Sequence, residues 1–438
     1  MRERRGAPGA AARRCASAAL LACALLPHPL AATPAARIAP AEPTVRVEVL
    51  GLLHAHEAVI GTPRGELRVR AVGDQLHEGV GPPRRTLRIE APAPRERPLS
   101  VKVDKLARRA FAGALELRAH EGELSLVNEL PLEEYVASVV GAELPHAPAE
   151  AQKALAVVVR SFALNTIARS HASAPRAAEP EVHLPPALAH PDAPLCDQTH
   201  CQLYLGLGSA SKRTRAAAEA TRGRVLLLPS GKVAPALHHA ACGGRTATAR
   251  DVWPGATADD QLASASIDDH LPGGAPACAS GPGDPPLAWS TEVSPEELVR
   301  ALGTSLPLSL KFERASGPGG GWVRSVSISG GRPLGADALH LLLGRALGWN
   351  RIRSSRIYWA DASSASEPPH DSPRIATAQV HATPGRFVLR GSGFGHGVGL
   401  CQRGAARWAR SGETFSQILS RYFPQLTVGR LPTTPDPG

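Results

Sequence analysis

Apolar and polar residues alternate in short runs between Thr44 and Glu123. Val45–Leu50, Glu66–Arg70, Thr86–Glu90 and Ala114–Arg118 each place an apolar side chain at every second position. That is the period of a strand with one buried face. Turns containing Gly or Pro separate the runs, so the pattern predicts antiparallel strands. Near Leu130 the period changes. Pro131 suits a first helical position, and Glu133 and Glu134 suit the positive end of a helix dipole. The helix so predicted runs to about Glu143 and stops before Pro145. A second begins at Pro148, with Leu155, Val158, Val159, Phe162 and Ile167 on one face.

Beyond it the pattern loosens. Ala172–Leu195 is rich in Ala, Pro and His and reads as an extended loop. Strands are predicted at Gly223–Pro229, Trp322–Ser329, Arg353–Ala360 and Arg386–Arg390, and a helix at Gly335–Leu347. The last ordered element is Thr414–Phe423, where Phe415, Ile418, Leu419 and Tyr422 share a helical face. There is no internal repeat. The expected fold class is α+β: a β-rich N-terminal part, a helical pair ending and starting around Glu143, and mixed α/β segments to the C-terminus. Residues 44–428 then form the folded region, divided into a β-rich 44–127 and a 128–428 that carries the chemistry. Pro432, Pro435 and Pro437 predict a mobile tail over 429–438.

Composition narrows the class. With 42 Gly and 41 Pro in 438 residues the chain is loop-rich, and 4% aromatic content leaves the core to Leu, Val, Ile and Ala. No run approaches the roughly 20 apolar residues of a membrane span, which excludes a polytopic membrane protein. Residues 1–32 have the form of a secretory signal: Arg2, Arg4, Arg5, Arg13 and Arg14, then an apolar Cys15–Leu26, then small residues at Ala31 and Ala32. Leu20-Leu21-Ala22-Cys23 also has the form of a lipoprotein box, which would end the signal at Ala22 and make Cys23 a lipid anchor. The chain is therefore expected in the cell envelope, the periplasm or outside the cell. The charge balance is 49 Lys+Arg against 39 Asp+Glu, and the leader holds five of those Arg. No basic block with interleaved aromatics is present, so no nucleic-acid partner is expected; an anionic envelope polymer fits the charge as well.

Four segments carry candidate chemistry. Glu143 ends one helix at a Pro break, beside Val139, Val140 and Leu144, surroundings that could raise a carboxyl toward the pKa of a general acid. From spacing alone, an ordinary surface glutamate fits better. His190, Cys196, His200 and Cys201 lie within twelve residues and match the donor set of tetrahedral zinc. His171 and His183 compete as ligands, and in an exported protein a Cys196–Cys201 disulfide fits equally well. His238-His-Ala-Ala-Cys242-Gly-Gly-Arg-Thr246 contains a tight Gly turn, with Cys278 a loose pairing guess for Cys242. Gly391–Ala405 has glycine at every second position from 391 to 399, which allows close backbone approach to a ligand. It fits neither the dinucleotide nor the phosphate-loop spacing. A thiol nucleophile at Cys401 beside His396 lacks an orienting third residue. Removal of the leader leaves five cysteines, an odd number that pairing alone does not explain.

Taken together these segments resemble the SpoIID/LytB family. The resemblance rests on Asn128-Glu-Leu-Pro-Leu-Glu-Glu-Tyr-Val, Val-Val-Gly-Ala-Glu143-Leu-Pro and Ala154-Leu-Ala-Val-Val-Val-Arg160-Ser-Phe-Ala-Leu. It continues through Cys196-Asp-Gln-Thr-His-Cys-Gln, Cys242-Gly-Gly-Arg-Thr and Gly393-Phe-Gly-His-Gly-Val-Gly-Leu-Cys-Gln-Arg-Gly-Ala, in that order, from about 44 to 428. Leu144 stands where Met is usual, and Cys401 where Ser is common.

The resemblance implies bacterial cell-wall work. Sporulation members of the family are lytic transglycosylases that cleave the MurNAc–GlcNAc bond of peptidoglycan glycan strands to 1,6-anhydro products. It maps their catalytic glutamate onto Glu143 as general acid and base. It maps a structural zinc onto His190, Cys196, His200 and Cys201, with His190 the least secure ligand. It also implies substrate contacts from Arg160, Gly393, His396, Gly397 and Gln402. LytB-like members are described as modifiers that enhance a cell-wall amidase. The alternative expectation is thus a non-catalytic wall-binding partner of an N-acetylmuramoyl-L-alanine amidase.

Overall fold

The computed structural model describes residues 42–92, 96–103, 108–171, 190–253, 255–279, 281, 286–314, 323–331, 333–360, 376–380 and 387–431. The expected leader with Cys15 and Cys23, most of the Ala172–Leu195 segment with His183, and the chain from 432 lie outside these residues. The fold is mixed α+β with its strands concentrated toward the N-terminus.

The alternating runs become strands: β1 (Thr44–Val49), β2 (Glu57–Thr62), β3 (Gly65–Val72), β4 (Gln75–Glu78), β5 (Thr86–Glu90), β6 (Leu99–Lys102), β7 (Arg109–Phe111), β8 (Ala114–His120) and β9 (Glu123–Pro131). They form two five-stranded sheets. One has the order β4-β3-β2-β6-β7. The other runs β1-β9-β8-β5, with the short β10 (Leu195–Cys196) added parallel to β1. Val45, Val47 and Val49 face inward, as period two requires. β9 escapes that pattern because Leu124, Leu126, Val127, Asn128 and Leu130 are all buried, on both faces.

β9 leads directly into α1 (Leu132–Glu143), every residue of which from Leu132 to Gly141 is buried. A helix enclosed all round has no polar stripe to show. It lies against α2 (Ala149–His171) and α3 (Lys212–Ala220). α3 gives no apolar periodicity in the sequence and is set by a Ser211 cap on Thr214 N–H. Glu133 and Glu134 are not dipole ornaments: each is buried and paired, Glu133 with Arg160 and Glu134 with Arg215. β11 (Arg224–Leu227) pairs antiparallel with the strand Thr427–Arg430, which runs two residues into the expected tail.

A second hydrophobic core occupies 289–389 and includes Leu310, Phe312, Val326, Leu339, Leu343 and Leu389. Its strands make one sheet from Ala288–Val293, Phe387–Ser392 and Ile357–Ala360, and another around Leu308–Arg314. The helix Ala336–Leu347 packs in this core. The helices Gln402–Arg410 and Phe415–Tyr422 then return to the first core through Ala405, Trp408, Ile418 and Leu419.

Candidate active site

Glu143 is the last residue of α1, where Leu144 leaves helical geometry ahead of Pro145. Its side chain is 19% exposed and gathers three partners from distant parts of the chain. Gln402 Nε2 donates to Oε2 at 2.9 Å, the Leu203 backbone N–H donates to Oε1 at 3.2 Å, and His238 Nε2 lies 3.5 Å from Oε1. Burial alone would push this carboxyl up. The hydrogen bond and charge of His238, with the Gln402 and Leu203 donors, outweigh it and hold Glu143 below the ordinary carboxylate range. The expected upward shift is therefore reversed, because polar partners from distant segments outweigh the burial.

Two of those partners arrive through one device. β12 (His238–His239) pairs parallel with Leu400–Cys401, and bridges join Ala241 to Phe394 and Ala247 to Val398. The His-rich segment and the glycine-rich segment are thus zipped side by side. Gly399 shows why glycine is needed: its φ is +77°, and a Cβ there would meet the Leu237 carbonyl at 2.2 Å. The pairing sets His238 and Gln402 on the same carboxylate.

Glu143 lies where two cavities meet. A cavity of about 310 Å³ is lined by Glu143, His238, His239, Trp253, Asp337 and His396, among others. A larger one, about 730 Å³, runs past Glu143 and His146 along Arg403, Arg407 and Arg410. In the smaller cavity His239 Nδ1 bonds the Val398 carbonyl at 3.0 Å while its buried Nε2 has no partner among the described residues. Burial takes His239 down to about 3 and His396 down to about 4, so both rings are neutral at pH 7. Asp337 accepts from Trp253 Nε1 at 3.3 Å, and its burial is outweighed chiefly by His340, which holds the carboxyl below the ordinary range.

Of the residues expected to touch substrate, His396 and Gln402 reach the site. Gly393 and Gly397 act through the backbone: the Gly393 N–H donates to Leu287, and the Gly397 carbonyl accepts from Ala247. Arg160 does not reach it. Its guanidinium is fully buried, bonding Glu133 at 2.8 Å and the Arg224 and Ala218 carbonyls, so it ties α2 to α1 and β11 instead. His238, Asp337, Trp253 and the Arg403/Arg407/Arg410 face were given no role from the sequence. His238 stands in a motif already singled out, whereas Asp337 stands on the helix Ala336–Leu347 and has no local signal.

The four expected zinc ligands do converge. The ligand atoms of His190, Cys196, His200 and Cys201 lie within 4.8 Å of one another. Cys196 Sγ is 3.2 Å from His200 Nε2 and Cys201 Sγ is 3.4 Å from His190 Nε2. Those spacings lie at or just below the edges, roughly 3.3–3.8 Å, of a tetrahedron around zinc. His190 Nδ1 bonds the Ala193 carbonyl at 2.9 Å, which orients Nε2 toward the cluster. β10 anchors this loop by seating Cys196 opposite Glu48 of β1, and Asp197 is clamped by the Leu50 N–H and Arg109. His171 ends α2 and is not in the group. Cys242 and Cys278 do meet, with sulfurs 3.5 Å apart and unbonded.

A glutamate at the end of an enclosed helix, with its donors brought in by the later motifs, is the centre of this site. Residues 120–228 match the family model SpoIID, Stage II sporulation protein. Two curated relatives share more of the chain. The amidase enhancer of Bacillus subtilis (strain 168) is 23% identical over 264 residues, covering 53% of this chain and 34% of that protein. An uncharacterized protein of Brachyspira hyodysenteriae is 24% identical over 322 residues, covering 73% of this chain and 72% of its own. The chain thus spans about a third of the amidase enhancer it matches.

Proposed function

We propose that this protein is a peptidoglycan lytic transglycosylase, cleaving the MurNAc–GlcNAc bond with Glu143 as its acid and base. The observation that carries the reading is a single, largely buried carboxylate at the junction of two cavities, held by three donors that come from three separate segments. A glycan lying across that junction would put sugars on both sides of Glu143. Trp253 offers an apolar face to sugar in one cavity. Arg407 and Arg410 offer cations to lactyl carboxylates in the other.

In this scheme Glu143 starts as a carboxylate, and sugar entering the groove displaces His238 and excludes water. With His238 displaced and water excluded, burial outweighs the remaining donors and raises the carboxyl until it holds a proton. It then protonates the leaving oxygen as the C1–O bond breaks. The substrate's own C6 hydroxyl closes on C1 and its proton passes to the Glu143 carboxylate. One bond breaks, one forms, the proton returns to Glu143 and no water is consumed, so no second carboxylate acts as base or nucleophile. His239 Nε2 is placed to accept from a sugar hydroxyl. Zinc on His190, Cys196, His200 and Cys201 would be structural, since four protein ligands leave no open position. Its role would be to hold the turn from Cys201 to Leu203, which supplies one donor to Glu143.

A second reading has its own support in the relative named an amidase enhancer: the chain would bind wall polymer and assist an amidase without cutting glycan. Mass spectrometry of products from stripped and intact glycan strands, with no amidase present, separates the two. Anhydro-ended fragments from wild type and none from Glu143→Gln support the transglycosylase. Equal product from both removes Glu143 from its role. No product from the folded wild type transfers the assignment to the enhancer reading.

A further inference from the structure

Three cysteines absorbed by neither the zinc loop nor the proposed reaction meet in the interior. Cys242, Cys278 and Cys401 join Asp269 with their ligand atoms within 4.8 Å of one another, and all four residues are at most 1% exposed. Cys242 Sγ is 3.5 Å from Cys278 Sγ and 3.3 Å from Asp269 Oδ2. We propose that these four residues form a second, internal zinc site of three thiolates and one carboxylate.

The first argument is charge. Asp269 is sealed from water, and its side-chain partners are neutral: Trp408 Nε1 at 2.9 Å, the Tyr422 hydroxyl at 2.9 Å and the Cys242 thiol. A buried carboxylate without a cation is costly, and a divalent ion at the centre of the cluster supplies one. The second is the dressing of the sulfurs. Cys401 Sγ accepts N–H groups from Cys242 and Gly404, each at 3.4 Å, at the start of the nine-residue helix Gln402–Arg410. Backbone donors and a helix start both favour anionic sulfur, the form that binds metal. The third is the outer ring: Trp408 and Tyr422 orient the Asp269 carboxylate as outer partners of metal ligands do. Gly404 makes this fit, since a Cβ there would meet Tyr422 Oη at 2.1 Å and Asp269 Oδ2 at 2.4 Å.

A Cys242–Cys278 disulfide is the rival arrangement. It would leave Cys401 and Asp269 enclosed together with nothing to balance the carboxylate. Thiolate-rich tetrahedral sites select zinc among the common divalent ions. The site also has a position that matters. Cys401 immediately precedes Gln402, and Cys242 closely follows His238, so the ion would pin two of the donors to Glu143 from behind.

Metal content of the full purified chain, with a thiol count after chelation in denaturant without reductant, tests this. We expect a Cys278→Ala variant to hold one zinc equivalent fewer than wild type. A Cys196→Ser/His200→Ala variant should retain that equivalent, and cobalt replacing it should show thiolate charge-transfer absorption. All five described cysteines should alkylate. A peptide joining Cys242 to Cys278 overturns the proposal, as does a Cys196→Ser/His200→Ala chain that folds and holds no metal. If Cys278→Ala fails to fold, cobalt in the Cys196→Ser/His200→Ala chain decides alone: the thiolate band supports the site and its absence overturns it.

Discussion

The two cysteine clusters are built on opposite plans. The outer one draws its ligands from twelve consecutive residues, is half-buried, and needs only one Pro-broken loop to close. The inner one draws from Cys242, Asp269, Cys278 and Cys401, is sealed, and exists only once the strand pairing of His238–His239 with Leu400–Cys401 is made. Yet each ends next to a donor of the same carboxylate, Leu203 beyond Cys201 and Gln402 beyond Cys401. A local cluster can organise a loop, whereas a dispersed cluster reports that the whole fold has closed. Glu143 is held from both sides.

The largest expected effect falls on the point where the clusters converge. Under the proposed reaction Glu143→Gln should lower the rate of anhydro-product formation by about 10²–10⁴, the usual worth of a general acid. An unchanged rate breaks the convergence. Next, Arg160→Met should destabilise folding by about 3–5 kcal/mol, because Glu133 would be left buried without its cation. Urea melts measure it, and KM for glycan should stay unchanged. A raised KM with normal stability would return Arg160 to the substrate.

Chelation sharpens the contrast between the clusters themselves. The outer metal should be lost to a chelator at least about tenfold faster than the inner one, since release from a sealed site waits on sub-global opening. Equal loss rates, followed by stopped-flow with a metal indicator, would mean the two are equally accessible.

The smallest effect is a shift along the pH axis. His238 is the foremost influence holding Glu143 below the carboxylate range, so His238→Phe should let burial raise that carboxyl. With Glu143 acting as an acid, activity falls as pH rises through its pKa. That limb of the kcat/KM profile should therefore move to higher pH in the variant. For stability the sign is opposite: a depressed folded pKa adds stability above the unfolded value that is lost as pH falls through the folded one. The variant should lose part of this contribution near neutrality. A limb that does not move would assign the lowering to Gln402 and Leu203.

Much of the architecture was legible from local pattern. The alternating β1, β5 and β8 fall where period two puts them, α1 starts just after Pro131 and stops short of Pro145, and α2 starts just after Pro148. Strands such as β6 and β7 are too short to establish a period, and β9 is buried on both faces, so alternation is lost. The second core was missed for a related reason: its strands are spread over a hundred residues whose runs resemble those of the surrounding segments.

Of the site, the sequence by itself pointed, through the motifs that carry the resemblance, to the candidate carboxylate Glu143 and to the outer His/Cys set, because each stands among residues close together along the chain. Only the tertiary structure decided that Glu143 is held ionised, that Arg160 is an internal tie and that Asp337 shares the pocket. It alone gathered Cys242, Asp269, Cys278 and Cys401. Those outcomes are sums of burial, charge and hydrogen bonding between groups up to 259 residues apart, and such sums have no value until the chain has folded.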